Sequence, residues 1–181
     1  KDGNVLDGKG SDLEKVASVD VSGLHPAVAE TKFTVMCDVN NPLTGPDGAT
    51  YTFGKQKGGT PEILDRLEAG MKSYAKVAGE ALGKDIDHIA GAGAAGGMGA
   101  ALCGFLNAGL KSGIETVLDL IGFDEMLEGV DLVVTGEGRI DWQSAFGKVP
   151  SGIGMRCKKK GVPAVAIVGG MGNGAEKIYE F

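Results

Sequence analysis

Cysteine is scarce in this sequence: Cys37, Cys103 and Cys157 are the only three in 181 residues, each more than fifty positions from the next. The number is odd and no zinc-ligand spacing occurs, which excludes a zinc ribbon and a disulfide framework. Buried thiols in a reducing cytosol are the expected state, so the expected location is cytoplasmic. Histidine is scarcer still. His25 and His88 are isolated in the sequence, so no His/Cys metal cluster is expected, and both are read as surface or capping residues. No apolar run reaches the roughly 18 residues of a membrane-spanning helix, and no signal peptide is visible. Net charge is −6 and the sequence pI is about 4.9. The basic footprint that nucleic-acid binding requires is therefore missing. The phosphate-loop pattern G-x-x-x-x-G-K-[ST] is missing too, because Gly54-Lys55 and Gly147-Lys148 lack both the upstream glycine and the hydroxyl residue.

Glycine, by contrast, is abundant. The 32 glycines are roughly two and a half times the average frequency of about 7 %. They lie in short clusters between apolar runs, which reads as loops of fixed shape and not as a flexible linker. The length allows one large domain, or one domain and part of a second. The chain opens on Lys1-Asp2-Gly3-Asn4 without Met and ends at Phe181 after a strand-like run and a glycine-rich turn. A piece of a longer gene product is expected.

Residues 1–31 are read as short strands and turns. Lys32 to Asp38 reads as a strand, followed by a loop through Asn40-Asn41-Pro42 and Asp47-Gly48. Thr60-Pro61 starts a helix, with Ile63, Leu67, Met71, Tyr74 and Ala78 as its apolar stripe and Gly79 or Gly83 as its end. The small-residue tract Gly91–Gly99 leads into a helix carrying Met98, Leu102, Phe105 and Leu106. Ser112-x-x-Glu115 fits a capping box for a helix that buries Ile114, Val117, Leu118 and Ile121 and stops at Gly122. Asp131 to Thr135 and Val162 to Val168 read as apolar strands, with a helix over Gly147–Lys160 between them. Strand, loop, helix, strand with near-continuous apolar strands predicts a parallel α/β sheet buried on both faces. The fold class is thus α/β, with a mixed α/β domain over residues 1–127 and part of a flavodoxin-like or Rossmann-like domain over residues 128–181.

Three segments have the residue types for chemistry. In the first, Asp38 ends a strand, and a Lys/Gly-rich loop from Phe53 to Gly59 precedes the helix at Thr60. Backbone amides, Lys57 and a helix N-terminus could hold an anion there; a structural loop with solvated lysines is the plainer alternative. The second, Gly91-Ala92-Gly93-Ala94-Ala95-Gly96, matches the dinucleotide pattern G-x-G-x-x-G. No strong strand precedes it, so the expectation is a ligand-facing loop and not a nicotinamide site; close backbone packing is the alternative. The third runs from Gly136-Glu137-Gly138-Arg139 through Asp141 and Trp142 to Lys148, at the carboxyl end of an expected parallel strand. Open α/β sheets bind ligands there. Carboxylates can hold Mg²⁺ or take a proton, and Arg and Lys can offset charge on a moving phosphoryl group. Local ion pairs in a polar loop are the alternative, and Trp142 either stacks on a base or fills a groove.

Together, CDVNNPLTGPDGA (Cys37–Ala49), FGKQKGGTPE (Phe53–Glu62), GAGAAGGMGAAL (Gly91–Leu102) and TGEGRIDWQSAFGK (Thr135–Lys148) resemble the bacterial glycerate kinase family of the two-domain type. The likeness runs over nearly the whole chain in one order. It implies a flavodoxin-like domain interrupted by a larger, restriction-enzyme-like domain, ATP and Mg²⁺ as co-reactants, and D-glycerate as acceptor. It also implies that the amino-terminal part of the enzyme lies outside this chain, so that catalysis by the chain alone is not expected. On this resemblance, either Asp38 or Asp141 is the base or a metal-linked carboxylate. Glu137 joins Asp141 at the metal, and Lys57 and Lys148 stabilise charge. Asn41, Gly45, Gly58, Gly91, Gly93, Gly96 and Gly97 line the substrate loops, with backbone donors from the glycines. Gly136, Gly138 and Arg139 meet the nucleotide. A small-molecule substrate, no nucleic acid, no membrane and a homodimer are the expected partner set. A dinucleotide-dependent oxidoreductase using Gly91–Gly96 and a non-catalytic small-anion module are the rival functions.

Overall fold

Residues 6–141 and 148–180 are described by the computed structural model. They group into two units, one ending at Leu110 and the other beginning at Lys111. The fold is α/β.

In the first unit the dominant element is a 22-residue helix whose ends are written in the sequence. Helix α3, Pro61–Leu82, is preceded by Thr60 in extended backbone, whose hydroxyl oxygen accepts the Ile63 N–H at 3.4 Å. Pro61 sits in the first turn, and Gly83 closes the helix at φ +65°. These ends agree with the sequence reading; the inward stripe agrees only in part. Leu64, Glu68, Ala75 and Ala78 are buried, whereas Ile63 is exposed and Leu67, Met71 and Tyr74 are half-buried. An acid occupies an inward position, and a search for apolar periodicity passes over it.

Around α3 the chain runs through a 3₁₀ turn (Gly10–Lys15), α1 (Ala27–Glu30), β1 (Thr34–Met36), α2 (Ala49–Gly54), α4 (Met98–Leu106) and β2 (Gly109–Lys111), which pairs with β1. No strand forms over the described residues 6–31, contrary to expectation. There the buried Asp12 carboxylate accepts the Lys9 N–H (3.2 Å) and the Lys15 ammonium (2.8 Å), and these local bonds close a turn instead. Strand β1 is also shorter than the expected 32–38, so Asp38 lies two residues beyond its end. Helix α2 was not expected: it is only six residues long and starts at the Asp47-Gly48 turn signal. The core joins Leu43, Ala75, Ala78, Ile86, Ala92 and Ala100, with Met71, Tyr74 and Leu82 packed against them. Most of these side chains are small, which lets backbones approach closely. Both histidines have the expected minor roles: His25 Nδ1 accepts the Ala27 N–H at 3.2 Å, and His88 Nδ1 lies 2.8 Å from Asp85 Oδ2 at the surface.

In the second unit α5 (Gly113–Leu120) and α6 (Phe123–Met126) precede β3 (Val133–Glu137), α7 (Val149–Lys160) and β4 (Ala164–Val168). Strands β3 and β4 pair in parallel, with Val133 opposite Ala164 and Glu137 opposite Val168. Helix α7 is the crossover that a parallel pair needs. Lys158, Lys159 and Lys160 occupy its last turn and Gly161 closes it at φ +72°. Two expectations are corrected here. Within this chain, where only two strands pair among the described residues of this unit, the strands are not buried on both faces: Val134 and Val165 are exposed and Ile167 is 69 % exposed. The capping box is not formed either: Ser112 Oγ is buried without a hydrogen-bond partner. Of the expected buried face of α5, Leu118 is buried, Ile114 is half-buried, and Val117 and Ile121 are exposed.

Glu115 is drawn elsewhere. Arg156 of α7, its side chain 17 % exposed, binds Glu115 Oε2 and Asp119 Oδ1 at 2.5 Å and Asp124 Oδ1 at 3.0 Å. One guanidinium thereby ties α5, α6 and α7 together. Removing it leaves three carboxylates facing one another, so Arg156→Ala is expected to destabilise this unit by about 2 kcal/mol in a denaturant melt. The network also sets a pH dependence. Hydrogen bonds from Lys111 and then Arg156 hold the Asp119 carboxyl below the usual carboxylate range. Stability from this group is present above its unfolded value near 3.8 and is lost as the pH falls through the lower folded value. Loss is therefore expected below about pH 4, with the wild-type and Arg156→Ala melting points converging there.

None of the described helices is long and apolar enough to cross a membrane. Cys103 and Cys157 are buried, which pushes both thiols up, and Cys37 is half-buried.

Candidate active site

In the first unit the Asn41–Gly48 loop is held from three sides. Asp87 takes the Thr44 N–H (2.9 Å) and hydroxyl (2.8 Å), and its own carbonyl accepts the Leu43 N–H at 2.9 Å. Glu68 of α3 takes the Gly45 N–H at 2.7 Å. The Asn41 amide donates to Asp47 O (2.8 Å) and Thr52 Oγ1 (3.3 Å), fixing the loop to α2. The glycine tract presses against the same loop. Gly93 N–H donates to Asn41 O at 2.9 Å, and a Cβ on Gly93 would lie 2.3 Å from Pro42 O.

The structure thus brings Asn41, Gly45 and Gly93 into one cluster with Thr44, Glu68 and Asp87, three residues that sequence reasoning missed; Gly97 meets the same loop at Leu43, whereas Gly91 packs against Cys37 and Val39. For Glu68 the sequence carries no signal, because its inward place on α3 shows only in the folded chain. The expected backbone donors are corrected. The amides of Gly45, Gly58, Gly93, Gly96 and Gly97 already donate to Glu68 Oε1, Lys55 O, Asn41 O, Gly93 O and Ala94 O. What glycine supplies is close approach, as at Gly93, or a positive φ, as at Gly45 in the loop (+98°) and Gly97 in the tract (+112°). No strand enters the tract over residues 85–90, so the strand–loop–helix context of a dinucleotide fingerprint is missing.

Asp38 and Lys57 are both exposed, Lys57 in the 3₁₀ turn Lys55–Lys57. The expected anion site at the start of α3 already holds an anion. Glu62 lies in the first turn, and its carboxyl is kept below the usual range by its own backbone N–H and by the Thr60 hydroxyl.

In the second unit Gly136 and Glu137 are the last two residues of β3, and Gly138, Arg139 and Asp141 follow. Beyond the strand ends the two segments stay paired. Gly169 N–H donates to Glu137 O (3.2 Å), Ile140 N–H to Gly170 O (3.0 Å), and Gly172 N–H to Ile140 O (2.7 Å). Ile140 is buried as an anchor, and Arg139 and Asp141 flank it. A Cβ on Gly172 would lie 2.9 Å from Arg139 Nη2 and 3.0 Å from Asp141 Cβ, so Arg139 and Asp141 converge on the bare backbone of Gly172. Gly138 faces open space. The Gly169–Gly172 segment is the part of this site that sequence reasoning left out, although an apolar strand ending at once in two glycines marks it. Lys148 precedes α7 with an exposed side chain, and its carbonyl accepts the Ser151 hydroxyl at 2.9 Å. Trp142, Gln143, Ser144 and Gly147 lie outside the described residues, as do Lys1–Asn4 and Phe181.

This second cluster offers a guanidinium and two carboxylates at the carboxyl end of a parallel pair, where open sheets receive ligands. Among the described residues no group of three or more His, Cys, Asp or Glu side chains could hold a metal ion by itself. A nucleotide-bound Mg²⁺ asks for less, one or two carboxylates besides the phosphates, and Glu137 with Asp141 meets that donor set.

Residues 1–181 match the family model described as the glycerate kinase family. The chain is 43 % identical to a glycerate kinase of Bacillus subtilis (strain 168) over 185 residues, covering 98 % of the chain and 48 % of the relative. It is 44 % identical to a glycerate 2-kinase of Escherichia coli (strain K12) over 169 residues, covering 93 % and 44 %. A crystal structure assigned to glycerate kinase 2 of Salmonella typhimurium LT2 superposes with a TM-score of 0.78 at 43 % identity, covering 91 % of this chain and 46 % of that one. The chain thus spans about half the length of the curated relatives it matches.

Proposed function

This chain belongs to the glycerate kinase family, and we propose that it contributes part of the active site of an enzyme that moves the γ-phosphoryl group of ATP to a hydroxyl of D-glycerate. In this reading residues 1–127 form the inserted domain and residues 128–181 part of the flavodoxin-like domain. The observation that carries the proposal is the convergence of Arg139 and Asp141 on Gly172 at the carboxyl end of the parallel pair. Phosphoryl transfer is catalysed mainly by positioning and by charge stabilisation, and these are the groups it needs.

The chemistry is in-line displacement. A glycerate oxygen forms the new bond to the γ-phosphorus, the bond from that phosphorus to the β,γ-bridging oxygen breaks, and ADP leaves. The hydroxyl proton passes to a carboxylate, Asp141 or Asp38. In the second unit Arg139 and Lys148 offset charge on the phosphoryl oxygens, and Gly136 and Gly138 let the nucleotide approach the backbone; in the first unit Lys57 offsets charge on the acid substrate. Glu137 and Asp141 would hold Mg²⁺, which when bound with the nucleotide neutralises phosphate charge. Within the first unit, the Asn41–Gly58 loops and the Gly91–Gly97 tract bind the three-carbon acid. The name of the E. coli relative supports the 2-hydroxyl as the acceptor.

A coupled ADP-release assay on the full-length protein, run over a panel of small hydroxy acids with ATP and Mg²⁺, tests this reading. Turnover that is selective for D-glycerate and yields 2-phosphoglycerate is expected. Glycerate binding without ADP release would replace the kinase by a binding module.

A further inference from the structure

Glu68 is a costly residue for its position. Its side chain is only 4 % exposed, on the inward stripe of α3 between Leu64 and Ala75, where an apolar residue would extend the core. A buried carboxylate disfavours the fold unless its oxygens are paired. Here the pairing is one-sided. Oε1 accepts the Gly45 N–H at 2.7 Å and lies 3.5 Å from Lys72 Nζ, while Oε2 is buried with no hydrogen-bond partner. An unmatched buried oxygen costs stability. What the carboxylate does achieve is to fix the backbone of Gly45, whose φ of +98° only glycine adopts readily. Asp87 holds the adjacent Thr44 amide and hydroxyl. Two acids, one on α3 and one in the segment that follows it, therefore clamp two consecutive residues of the Asn41–Gly48 loop.

We propose that Glu68 is a positioning residue: by holding the Gly45 amide it sets the shape of the Thr44–Gly45 turn, and through that turn the affinity for the hydroxy-acid substrate. The proposal rests on the kinase reading above for the identity of that substrate. It assigns Glu68 no contact with the reacting atoms.

Two variants of the full-length protein separate the clamp from general stability. Glu68→Gln keeps an acceptor oxygen of the same reach for Gly45, whereas Glu68→Met keeps the volume and removes the acceptor. In Glu68→Met, amide exchange at Gly45 is expected to quicken at least tenfold, with the KM for D-glycerate raised about tenfold and the KM for ATP and the melting point little changed. Glu68→Gln is expected to restore both slow exchange and low KM. Unchanged Gly45 exchange in Glu68→Met overturns the clamp. Faster exchange with an unaltered KM for D-glycerate, or equal losses in both KM values and in stability, overturns the positioning role. A wild type without glycerate-dependent turnover removes the kinase reading and the substrate part of this proposal with it, while Gly45 exchange still decides whether the clamp exists.

Discussion

Asp141→Asn in the full-length protein is expected to lower kcat for glycerate phosphorylation by about 100-fold or more, through loss of a proton acceptor or of a magnesium-linked carboxylate. The substitution is nearly isosteric and leaves Cβ in place, so the packing of Asp141 Cβ beside Gly172 survives. The paired backbone around Ile140 does not depend on the carboxylate, because its bonds run from Ile140 to Gly170 and from Gly172 to Ile140. The melting point of the same variant is measured alongside, so that a loss in the chemical step is told apart from a loss in folding. The proton acceptor and the metal-linked carboxylate are separable. A lost base moves the acidic limb of the kcat profile, whereas a lost metal ligand raises the Mg²⁺ concentration needed for half-maximal rate. Normal turnover with normal magnesium dependence would exclude Asp141 from the chemistry and leave Asp38 as the candidate base.

The sequence made some of this fold legible because the relevant forces act over a few residues. Thr60-Pro61 and Gly83 bound α3 by capping and by φ preference alone. The β-branched runs that became β3 and β4, with the lysine-ended helix between them, announce a parallel crossover in the same local way. Where the deciding partner is distant in the chain, the reading fails. Glu115 has the spacing of a capping box with Ser112, but Arg156, 41 positions away, binds its carboxylate at 2.5 Å and no cap bond forms. Glu68 looks like a surface acid until the Gly45 amide, 23 positions earlier, is placed against it. The glycine tract shows the same limit: Gly93 invites a ligand-binding reading, yet the atom it accommodates is Pro42 O. At the candidate site the residue types at the end of β3 were legible, and their meeting with Gly172 was not, because it depends on how β4 pairs with β3.

The largest expected stability effect in the first unit comes from one methyl group. By helix propensity Gly99→Ala, in the first turns of α4, should stabilise the protein by about 1 kcal/mol. The packing reverses that sign. A Cβ on Gly99 would lie 2.1 Å from Gly91 O, 3.0 Å from Gly91 C and 3.1 Å from Ala92 O. These are backbone atoms, so no side chain can swing aside, and Ala100 N–H is bonded to Ala92 O at 2.9 Å in the same contact. Relief requires α4 to move off the tract, which would break that bond and loosen Ala92 and Ala100 in the core. A net loss of about 3 kcal/mol is expected, at the upper end of overpacking effects, lowering the melting point by roughly 10 °C. Gly109→Ala is the control, because nothing lies within 4 Å of its Cβ position and its φ is not positive; it should melt within about 0.5 kcal/mol of wild type. If Gly99→Ala instead melts with the control, α4 does not rest on the Gly91–Ala92 backbone, and close packing ceases to explain why the tract is built of glycine.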